Sequence, residues 1–295
     1  MRARHPIPLP AIPMLILLLT PCSGWGGAAR ASEPAHAAPT PREPLEDALP
    51  PDAEPSGRDI YQCVLDNRFD AYVQQSKLLS GDRGSSTQES RLRMTWSSFR
   101  DPEGEPSGGV LSKTLVKYVD PFDLRFSGYL IINNHARSND QFVYLATSRR
   151  IRRVNLRREA IFGTDFTFED LVPREIDDGD YRRLPDQVVQ DATTYVVEII
   201  PRAHADSDYS RFVIQVDKGT CVPLLTRYWD ERGLLVKELT APSADVKEID
   251  GVHWPSTLTM RNVQNDTFTT LTVQELEANP KLERTTFDLR RLESH

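Results

Sequence analysis

The 295-residue sequence has few cysteines, no excess of positive charge and no long apolar run. Three cysteines exclude a cysteine-rich scaffold and a zinc site built from four cysteines. A formal net charge of −7 gives no electrostatic reason to expect a nucleic-acid partner. No stretch approaches the roughly 18 apolar residues that a membrane-spanning helix needs. The composition, 39% hydrophobic with a mean hydropathy of −0.47, is that of a folded globular protein.

The first 31 residues have the order of a secretory signal peptide. Arg2 and Arg4 give a positive start, an apolar run follows over residues 14–19, and small residues then lead to Ala31. We therefore predict cleavage between Ala31 and Ser32 and export to the periplasm.

A second interpretation is a lipoprotein signal with Cys22 as the lipidated residue. Such a signal places a small residue directly before the cysteine, and here that residue is Pro21. A single acyl chain is also only a weak membrane anchor. Lipidation is therefore kept as the less favoured alternative.

Proline is concentrated at the front of the chain, with twelve of its 22 residues in the first 55. Residues 32–57 are rich in proline and alanine and have almost no aromatic or β-branched residues, so they predict an extended spacer. Residues 58–295 remain, an ordinary length for one β-rich domain.

Residues 58–79 predict the long helix of the chain, followed by Gly81 as a stop signal. Its apolar stripe would be formed by Ile60, Val64, Tyr72 and Val73. A helical turn is predicted over residues 166–171, and residues 174–191 are predicted to form a polar insertion without a clear period.

From Arg91 onward the pattern changes to short strands separated by turn signals. About eleven strands are predicted, near 91–96, 110–119, 126–133, 140–147, 150–157, 193–200, 210–217, 221–230, 234–241, 252–263 and 267–277. Strict alternation places Leu92, Met94 and Trp96 on one face of the first of them.

The predicted architecture is mainly β with some α (α+β). An antiparallel sheet of about eleven strands curls, and it then closes into a barrel or is covered on its concave side by a helix. The helix over 58–79 is the natural cover, and the apolar concavity beneath it is a plausible site for a lipid. Leu92, Met94 and Trp96 are the candidate lipid-facing residues; the alternative is a helix packed permanently as core.

Catalytic and metal-binding motifs are missing. The six histidines have no metal-ligand spacing, and neither a G-x-S-x-G elbow nor a Walker loop occurs. The sequence therefore predicts a non-enzymatic protein without a metal or cofactor.

Cys63 and Cys221 are the two cysteines that remain after signal cleavage. In an oxidising compartment two such cysteines often pair, so we predict a disulfide that ties the N-terminal helix to the sheet. Two buried free thiols are the alternative.

Six arginines lie within ten residues, at 149, 150, 152, 153, 157 and 158. Arg149, Arg150, Arg152 and Arg153 are candidates for docking to anionic head groups or to an acidic partner. The alternative is the solvated face of a strand.

Several blocks of the chain, taken in their order, resemble a known family. They are D-Q-F-V-Y-L at 140–145, R-R-I-R-R at 149–153, G-T-D-F-T-F-E-D-L at 163–171, Y-S-R at 209–211, Y-W-D at 228–230, G-L-L-V-K at 233–237 and F-D-L-R-R-L at 287–292. Together they resemble the LolA-like outer-membrane lipoprotein-sorting family over about residues 58–293. The third block is the most specific, and it contains Gly163, Asp165, Phe166 and Asp170.

This resemblance implies a periplasmic, unclosed β-barrel of about eleven strands with helices over its concave face. It implies a monomeric, non-enzymatic carrier that binds a lipid or lipoprotein acyl chain. Its partners would be an inner-membrane exporter, for example one of the RND type, or an outer-membrane acceptor. The alternative is an envelope-stress or lipid sensor that regulates a membrane partner.

Overall fold

A computed structural model of the chain describes residues 54–84, 86–101, 103–155 and 159–294. The predicted cleavage site at Ala31 and Ser32, the alternative lipidation site at Cys22, and Arg157 and Arg158 lie outside the described residues. The boundaries of signal, spacer and domain therefore stay predictions.

The described residues form two short α-helices and fifteen strands, all antiparallel. The helices are α1 (Gly57–Asp66) and α2 (Arg290–Glu293). The strands are β1 (Ala71–Gly81), β2 (Thr87–Ser98), β3 (Val110–Asp120), β4 (Gly128–Asn134), β5 (Asp140–Leu145), β6 (Arg150–Val154), β7 (Gly179–Val189), β8 (Ala192–Pro201), β9 (Arg211–Asp217), β10 (Pro223–Trp229), β11 (Leu235–Thr240), β12 (Val246–Ile249), β13 (Val252–Pro255), β14 (Thr257–Asn262) and β15 (Thr267–Ala278).

Thirteen of these strands make one curved sheet in the order β6-β5-β4-β3-β2-β1-β15-β14-β11-β10-β9-β8-β7. β12 and β13 pair separately as a small hairpin. Within the described chain β6 and β7 each have a single neighbour, so the sheet does not close. The predicted curved antiparallel sheet with an N-terminal helix is confirmed, with thirteen strands in place of about eleven.

The long helix predicted over 58–79 is wrong beyond its first half. α1 starts at a capping box in which Ser56 and Asp59 bond each other's backbone N–H groups, and it ends at Asp66. The side-chain amide of Asn67 then exchanges two hydrogen bonds with the backbone of His253, at 2.8 and 2.9 Å. Residues 71–81 form β1 instead.

The polar insertion predicted over 174–191 is also wrong, because most of it is the edge strand β7. Most of its residues from 180 to 188 are exposed, among them Val188 at 68%, so this edge strand gave no apolar alternation. α1 packs against β7 and β8. The run predicted over 252–263 divides into β13 and β14 at Ser256.

The C-terminal segment covers part of the outer face of the sheet. Phe287 and Leu292 pack on Leu115, Leu130 and Tyr144, and Leu292 is completely buried. The inner, concave face carries two further apolar clusters that hold the candidate functional site. In the described part of the chain, no helix has the length and apolarity required to cross a membrane.

Candidate functional site

A loop between β6 and β7 lies over one half of the concave face. We call residues 160–172 the strap. Ile161 and Phe168 of the strap are buried at 3% exposure each. They pack on inward side chains of β1 to β4 and β15: Leu78, Leu92, Met94, Val116, Tyr118, Tyr129, Ile131 and Leu271. This set is the strap cluster.

The strap folds back on itself instead of joining the sheet. The backbone N–H of Ile161 donates to the Phe166 carbonyl at 2.9 Å, and Ala160 and Thr167 form an isolated bridge. The chain reverses at Phe162 and Gly163, whose φ angles are +45° and +77°. A left-handed φ suits glycine, which explains Gly163 in the family motif. A short 3₁₀ turn follows over Glu169–Leu171, within the helical turn predicted for 166–171.

Asp165 fastens the first part of the strap to β15. Its backbone N–H donates to Thr269 Oγ1 at 2.9 Å, and its carboxylate accepts hydrogen bonds from the hydroxyls of Thr267 and Thr269. Thr269 is completely buried. Phe166, next to this anchor, is 9% exposed and turns into the protein.

Asp170 fastens the second part through a buried ion pair. Its carboxylate is 2.8 Å from Lys237 Nζ on β11, and the two side chains are 1% and 9% exposed. It also accepts hydrogen bonds from the Tyr209 hydroxyl at 2.8 Å and from the backbone N–H and hydroxyl of Thr167 at 2.8 and 2.9 Å. Burial, and next the charge of Asp170, raise the pKa of Tyr209 well above its ordinary value.

Glu169 makes the third attachment, toward the loop before β9. Its carboxylate pairs with Arg174 and accepts hydrogen bonds from the Ser207 hydroxyl and the Asp208 backbone N–H. The Arg174 guanidinium also lies 4.1 Å from the centre of the Phe212 ring. The strap is therefore held by three carboxylates, at 165, 169 and 170, each bonded to a different part of the sheet or its loops.

Three separate family-like motifs meet at Asp170. Asp170 comes from the G-T-D-F-T-F-E-D-L block, Tyr209 from the Y-S-R block and Lys237 from the G-L-L-V-K block. No sequence pattern indicates a role for Tyr209 or Lys237, although both lie in family-like blocks. Partners 39 and 67 residues away in the chain can be matched only in three dimensions.

The candidate lipid-facing residues lie on the concave face, but not under the predicted cover. Leu92, Met94 and Trp96 are 3%, 6% and 5% exposed. Leu92 and Met94 belong to the strap cluster, whereas Trp96 stacks on Tyr72, which in turn meets Trp254 of β13 edge-on.

α1 covers the other half of the concave face. Ile60 and Tyr61 pack there on inward residues of β8 and β9, among them Val197, Phe212 and Ile214. The strap therefore has the place over Leu92 and Met94 that sequence analysis gave to the helix.

Cys63 of α1 and Cys221 in the turn after β9 lie with their Cα atoms 5.7 Å apart, and the structure joins them as a pair. This separation is within the range that a disulfide spans. The bond would fix α1 over its half of the concave face. It stays a prediction for chemical mapping.

The arginine stripe is divided between two faces of β6. Arg150 and Arg152 oppose Leu145 and Val143 of β5, on the side of the concave face, whereas Arg153 is on the outer side. Arg149 is in the preceding turn with φ +49°.

Asp140 at the start of β5 binds the outward arginine of the stripe. It pairs with both Arg137 and Arg153. Hydrogen bonds from Arg137 first, and also from Asn134 and Arg153, lower its pKa to about 2 despite burial. Arg153 is thereby less suited than Arg150 or Arg152 to bind an external anion.

A cleft of about 560 Å³ opens beside the end of the strap, between the loops that follow β4 and precede β7. Two ion pairs line it, Arg100–Glu175 and Arg174–Glu169, together with the Arg137 side chain. These charged groups make the cleft less suited to an acyl chain than a wholly apolar surface. The apolar candidate site is instead the surface between the strap and the strap cluster, which is closed in this structure.

Within the described ranges, no group of three or more histidine, cysteine or acidic residues is arranged to hold a metal ion.

Comparison with known proteins gives a family and a fold. A family model described as "-like: Uncharacterized protein" matches residues 111–294, more than half of the chain. No curated protein matches the chain.

Solved structures share the fold at low sequence identity. A domain assigned to outer-membrane lipoprotein sorting, from Vibrio parahaemolyticus, aligns with a TM-score of 0.71 at 23% identity, over 81% of this chain and 98% of its own. A DUF1329 family protein from Desulfovibrio piger aligns with a TM-score of 0.73 at 21% identity, over 80% and 97%. A LolA superfamily protein from Nitrosomonas europaea aligns with a TM-score of 0.61 at 14% identity, over 79% and 98%.

Proposed function

We propose that this chain, which belongs to the family of that model and shares the fold of a LolA superfamily protein, is a non-enzymatic carrier of a lipid or of the acyl chains of a lipoprotein. The ligand binds the strap cluster after the strap has moved aside, and the protein later releases it to a membrane. The carrier acts in the periplasm after removal of residues 1–31. Its partner is an inner-membrane exporter, for example one of the RND type, or an outer-membrane acceptor.

The observation that supports this proposal is the way the strap is attached. Its apolar side chains rest on an apolar surface, but it shares no strand ladder with the sheet, and three carboxylates hold it in place. A strap of this kind can leave without breaking the hydrogen bonds of the sheet. An acyl chain can then replace its apolar contacts, because both surfaces are apolar.

Orders of magnitude favour a ligand with more than one acyl chain. Burying about fourteen methylenes at about 0.8 kcal/mol each supplies roughly 11 kcal/mol before ordering costs. Re-exposing the apolar side chains of the strap, Ile161, Phe162, Phe168, Leu171 and Val172, costs at most about 8 to 15 kcal/mol, because about 1.5 to 3 kcal/mol applies to each fully buried side chain and three of the five are only partly buried. One chain roughly balances the strap, whereas two or three chains exceed it.

A reversible lock on the strap tests the proposal. Asp165→Cys with Thr269→Cys would join the strap to β15, where the two native residues are hydrogen-bonded at 2.9 Å. Thr259→Cys with Thr270→Cys is the matched control, because these residues pair across β14 and β15 without involving the strap. A fluorescent diacyl lipid is titrated into the oxidised and reduced proteins.

The carrier proposal expects saturable binding by the wild type and by the control pair in both states. The strap-locked protein should bind only after reduction. If the locked and reduced proteins bind alike, the ligand does not enter under the strap. No saturable binding by the wild type to any diacyl or triacyl lipid would reject the carrier and leave the sensor interpretation. Intact-mass measurement of the exported protein identifies its processed N-terminus. Ser32 is the expected first residue, and a diacylated Cys22 would be the contrary result.

A further inference from the structure

The turn between β3 and β4 presents an apolar side chain directly to solvent. Phe122 is 91% exposed, more than any other large hydrophobic residue that the structure describes. Val119, three residues before it, is 45% exposed. Exposing a phenylalanine forgoes the gain of burying it, so Phe122 is a candidate for contact with another apolar phase.

This turn has a fixed conformation. The backbone N–H groups of Leu124 and Arg125 both donate to the Pro121 carbonyl, at 3.0 and 2.8 Å, and that of Phe126 donates to the Tyr118 carbonyl at 3.0 Å. Leu124 packs inward on the strap cluster. Because Leu124 anchors the turn on the inside, Phe122 points away from the protein. The exposure of Phe122 is therefore a property of an ordered turn.

Positive charge lies in the hairpin next to the Phe122 turn. The Ala146 backbone N–H donates to Ser127 Oγ at 3.0 Å, so the turn between β5 and β6 lies at the same end of the sheet. That turn brings Leu145, which is 38% exposed, together with Arg149 and Arg150. Arg125 adds a further cation from the Phe122 turn itself.

Few acidic groups oppose these arginines. The turn between β3 and β4 contains Asp120 and Asp123, and Asp120 pairs with Arg91. Residues 145–153 contain four arginines and no acid. Residues 120–127 and 145–153 together contain five arginines and two aspartates, so these two turns are positive in a chain whose formal net charge is −7.

We propose that Phe122, Arg125, Leu145, Arg149 and Arg150 form a docking corner that binds the surface of an anionic lipid bilayer. Phe122 enters the acyl boundary, and the arginines lie against the lipid phosphates. An exposed apolar tip beside a group of arginines fits a bilayer surface, whose outer layer is anionic and whose interior is apolar. The inference deepens the proposed carrier function and rests on it, since it names the kind of membrane surface from which the ligand is taken or to which it is delivered.

The docking corner adjoins the strap. The ring of Phe162, at the reversal of the strap, lies 5.0 Å from the Tyr118 ring, and the backbone of Tyr118 closes the Phe122 turn. A bilayer bound at the corner is therefore next to the strap reversal at Phe162 and Gly163. Acyl chains that left the membrane there would meet the edge of the strap cluster.

Vesicle sedimentation of the purified protein tests the docking corner. The vesicles are neutral phosphatidylcholine, or phosphatidylcholine with roughly one-third phosphatidylglycerol to give an anionic surface. The variants are Phe122→Ser and the double reversal Arg149→Glu with Arg150→Glu. Val188→Ser is the matched control, because Val188 is also an exposed apolar residue, at 68%, but on the edge strand β7.

Wild type should bind anionic vesicles at least about tenfold more tightly than neutral ones, and high salt should remove the difference. Phe122→Ser should weaken anionic-vesicle binding about tenfold, as expected for a partly inserted side chain. The double reversal should abolish the anionic preference, and Val188→Ser should bind as wild type does.

Equal binding to neutral and anionic vesicles, no vesicle binding, or wild-type binding by Phe122→Ser would each overturn the docking corner. The soluble diacyl-probe titration keeps this outcome separate from the carrier proposal. Phe122→Ser should retain wild-type probe affinity, because Phe122 does not belong to the strap cluster. If the wild type binds anionic vesicles but does not bind the soluble probe, the carrier proposal is rejected and the docking corner is not.

Discussion

The buried pair of Asp170 and Lys237 can be tested by substituting each partner. Asp170→Asn keeps the size of the side chain but removes the charge that balances the Lys237 ammonium. Both side chains are more than nine-tenths buried, with Nζ and Oδ2 2.8 Å apart. Leaving one partner of such a pair without its counter-charge costs about 3 to 5 kcal/mol.

The strap should take most of this loss. Asp170 is in the strap, which is outside the sheet, whereas Lys237 is in β11. We expect Asp170→Asn to detach the strap well before the sheet unfolds. Trypsin should then cut faster at Arg174, which is 19% exposed when it is bound to Glu169. The free energy of global unfolding in urea should fall by less than this cost of about 3 to 5 kcal/mol. The open strap exposes Lys237 to water, which removes part of the penalty.

Detachment should also raise the affinity for a diacyl probe. The apparent dissociation constant of a protein that binds only when open is its intrinsic value divided by the open fraction. Each loss of about 1.4 kcal/mol in strap closure therefore raises probe affinity about tenfold until the open state predominates. Faster proteolysis and tighter binding should appear together.

Two further variants decide whether the pair is responsible. Lys237→Met combined with Asp170→Asn leaves no unpaired charge, so the double variant should be more stable than Asp170→Asn alone. Asp177→Asn is the control, because the Asp177–Arg58 pair is exposed and surface pairs contribute about 0 to 1 kcal/mol. Our reasoning is refuted if Asp170→Asn leaves proteolysis and probe affinity unchanged, or if the double variant is no more stable than Asp170→Asn alone.

Three more predictions concern the rest of the fold. Leu292→Ala should lower the free energy of unfolding in urea by about 2 to 5 kcal/mol, because Leu292 is completely buried, whereas Leu289→Ala, at 40% exposure, should change it by less than about 0.5 kcal/mol. The lowered pKa of Asp140, about 2 against an ordinary 3.8, gives stability that is present above about pH 4 and is lost as the pH falls toward 2, so urea midpoints of Asp140→Asn should fall less steeply over that range than those of wild type. Non-reducing peptide mapping should find Cys63 joined to Cys221, and reduction should cost about 2 to 5 kcal/mol for a separation of 158 residues; two alkylatable thiols in periplasmic material would contradict this.

Strict alternation predicted the strands that have one apolar face. β2 is the clearest case, since Leu92, Met94 and Trp96 are all buried and the alternating Arg91 and Arg93 are exposed, although Thr95 is buried as well. Turn signals located most of the remaining strands, and the antiparallel, curved architecture followed from their number. The family resemblance supplied the open form of the sheet.

Residues 71–79 show why one strand was mistaken for helix. Inward positions of β1 include Gln74 and Ser76, which are 3% and 1% exposed although they are polar. Outward positions include Val73 and Leu79. Because polar residues are buried and apolar residues lie on both faces, period-two alternation is lost, and Tyr72 and Val73 could be read as the continuation of a helical stripe.

The carboxylates that fasten the strap could not be assigned a role from sequence for a different reason. An aspartate in a loop usually caps a turn or faces water, and Asp165 and Asp170 have no local pattern that distinguishes them. Their partners Thr269, Tyr209 and Lys237 come from three separate elements. Only the order of the family-like blocks indicated that these segments belong together.

Apolar and polar contacts of the strap have different parts in the proposed carrier. The apolar contacts of Ile161 and Phe168 are not specific, since any acyl chain of suitable length makes similar contacts with the strap cluster. The contacts of Asp165 and Asp170 are specific, because an alkyl chain has no group that can replace a carboxylate. A ligand that displaces the strap therefore recovers the apolar contacts but loses the polar ones, which have to be re-solvated. On this view the carboxylates set how much apolar surface a ligand must bring, and a weakened carboxylate attachment should broaden binding toward ligands with a single acyl chain.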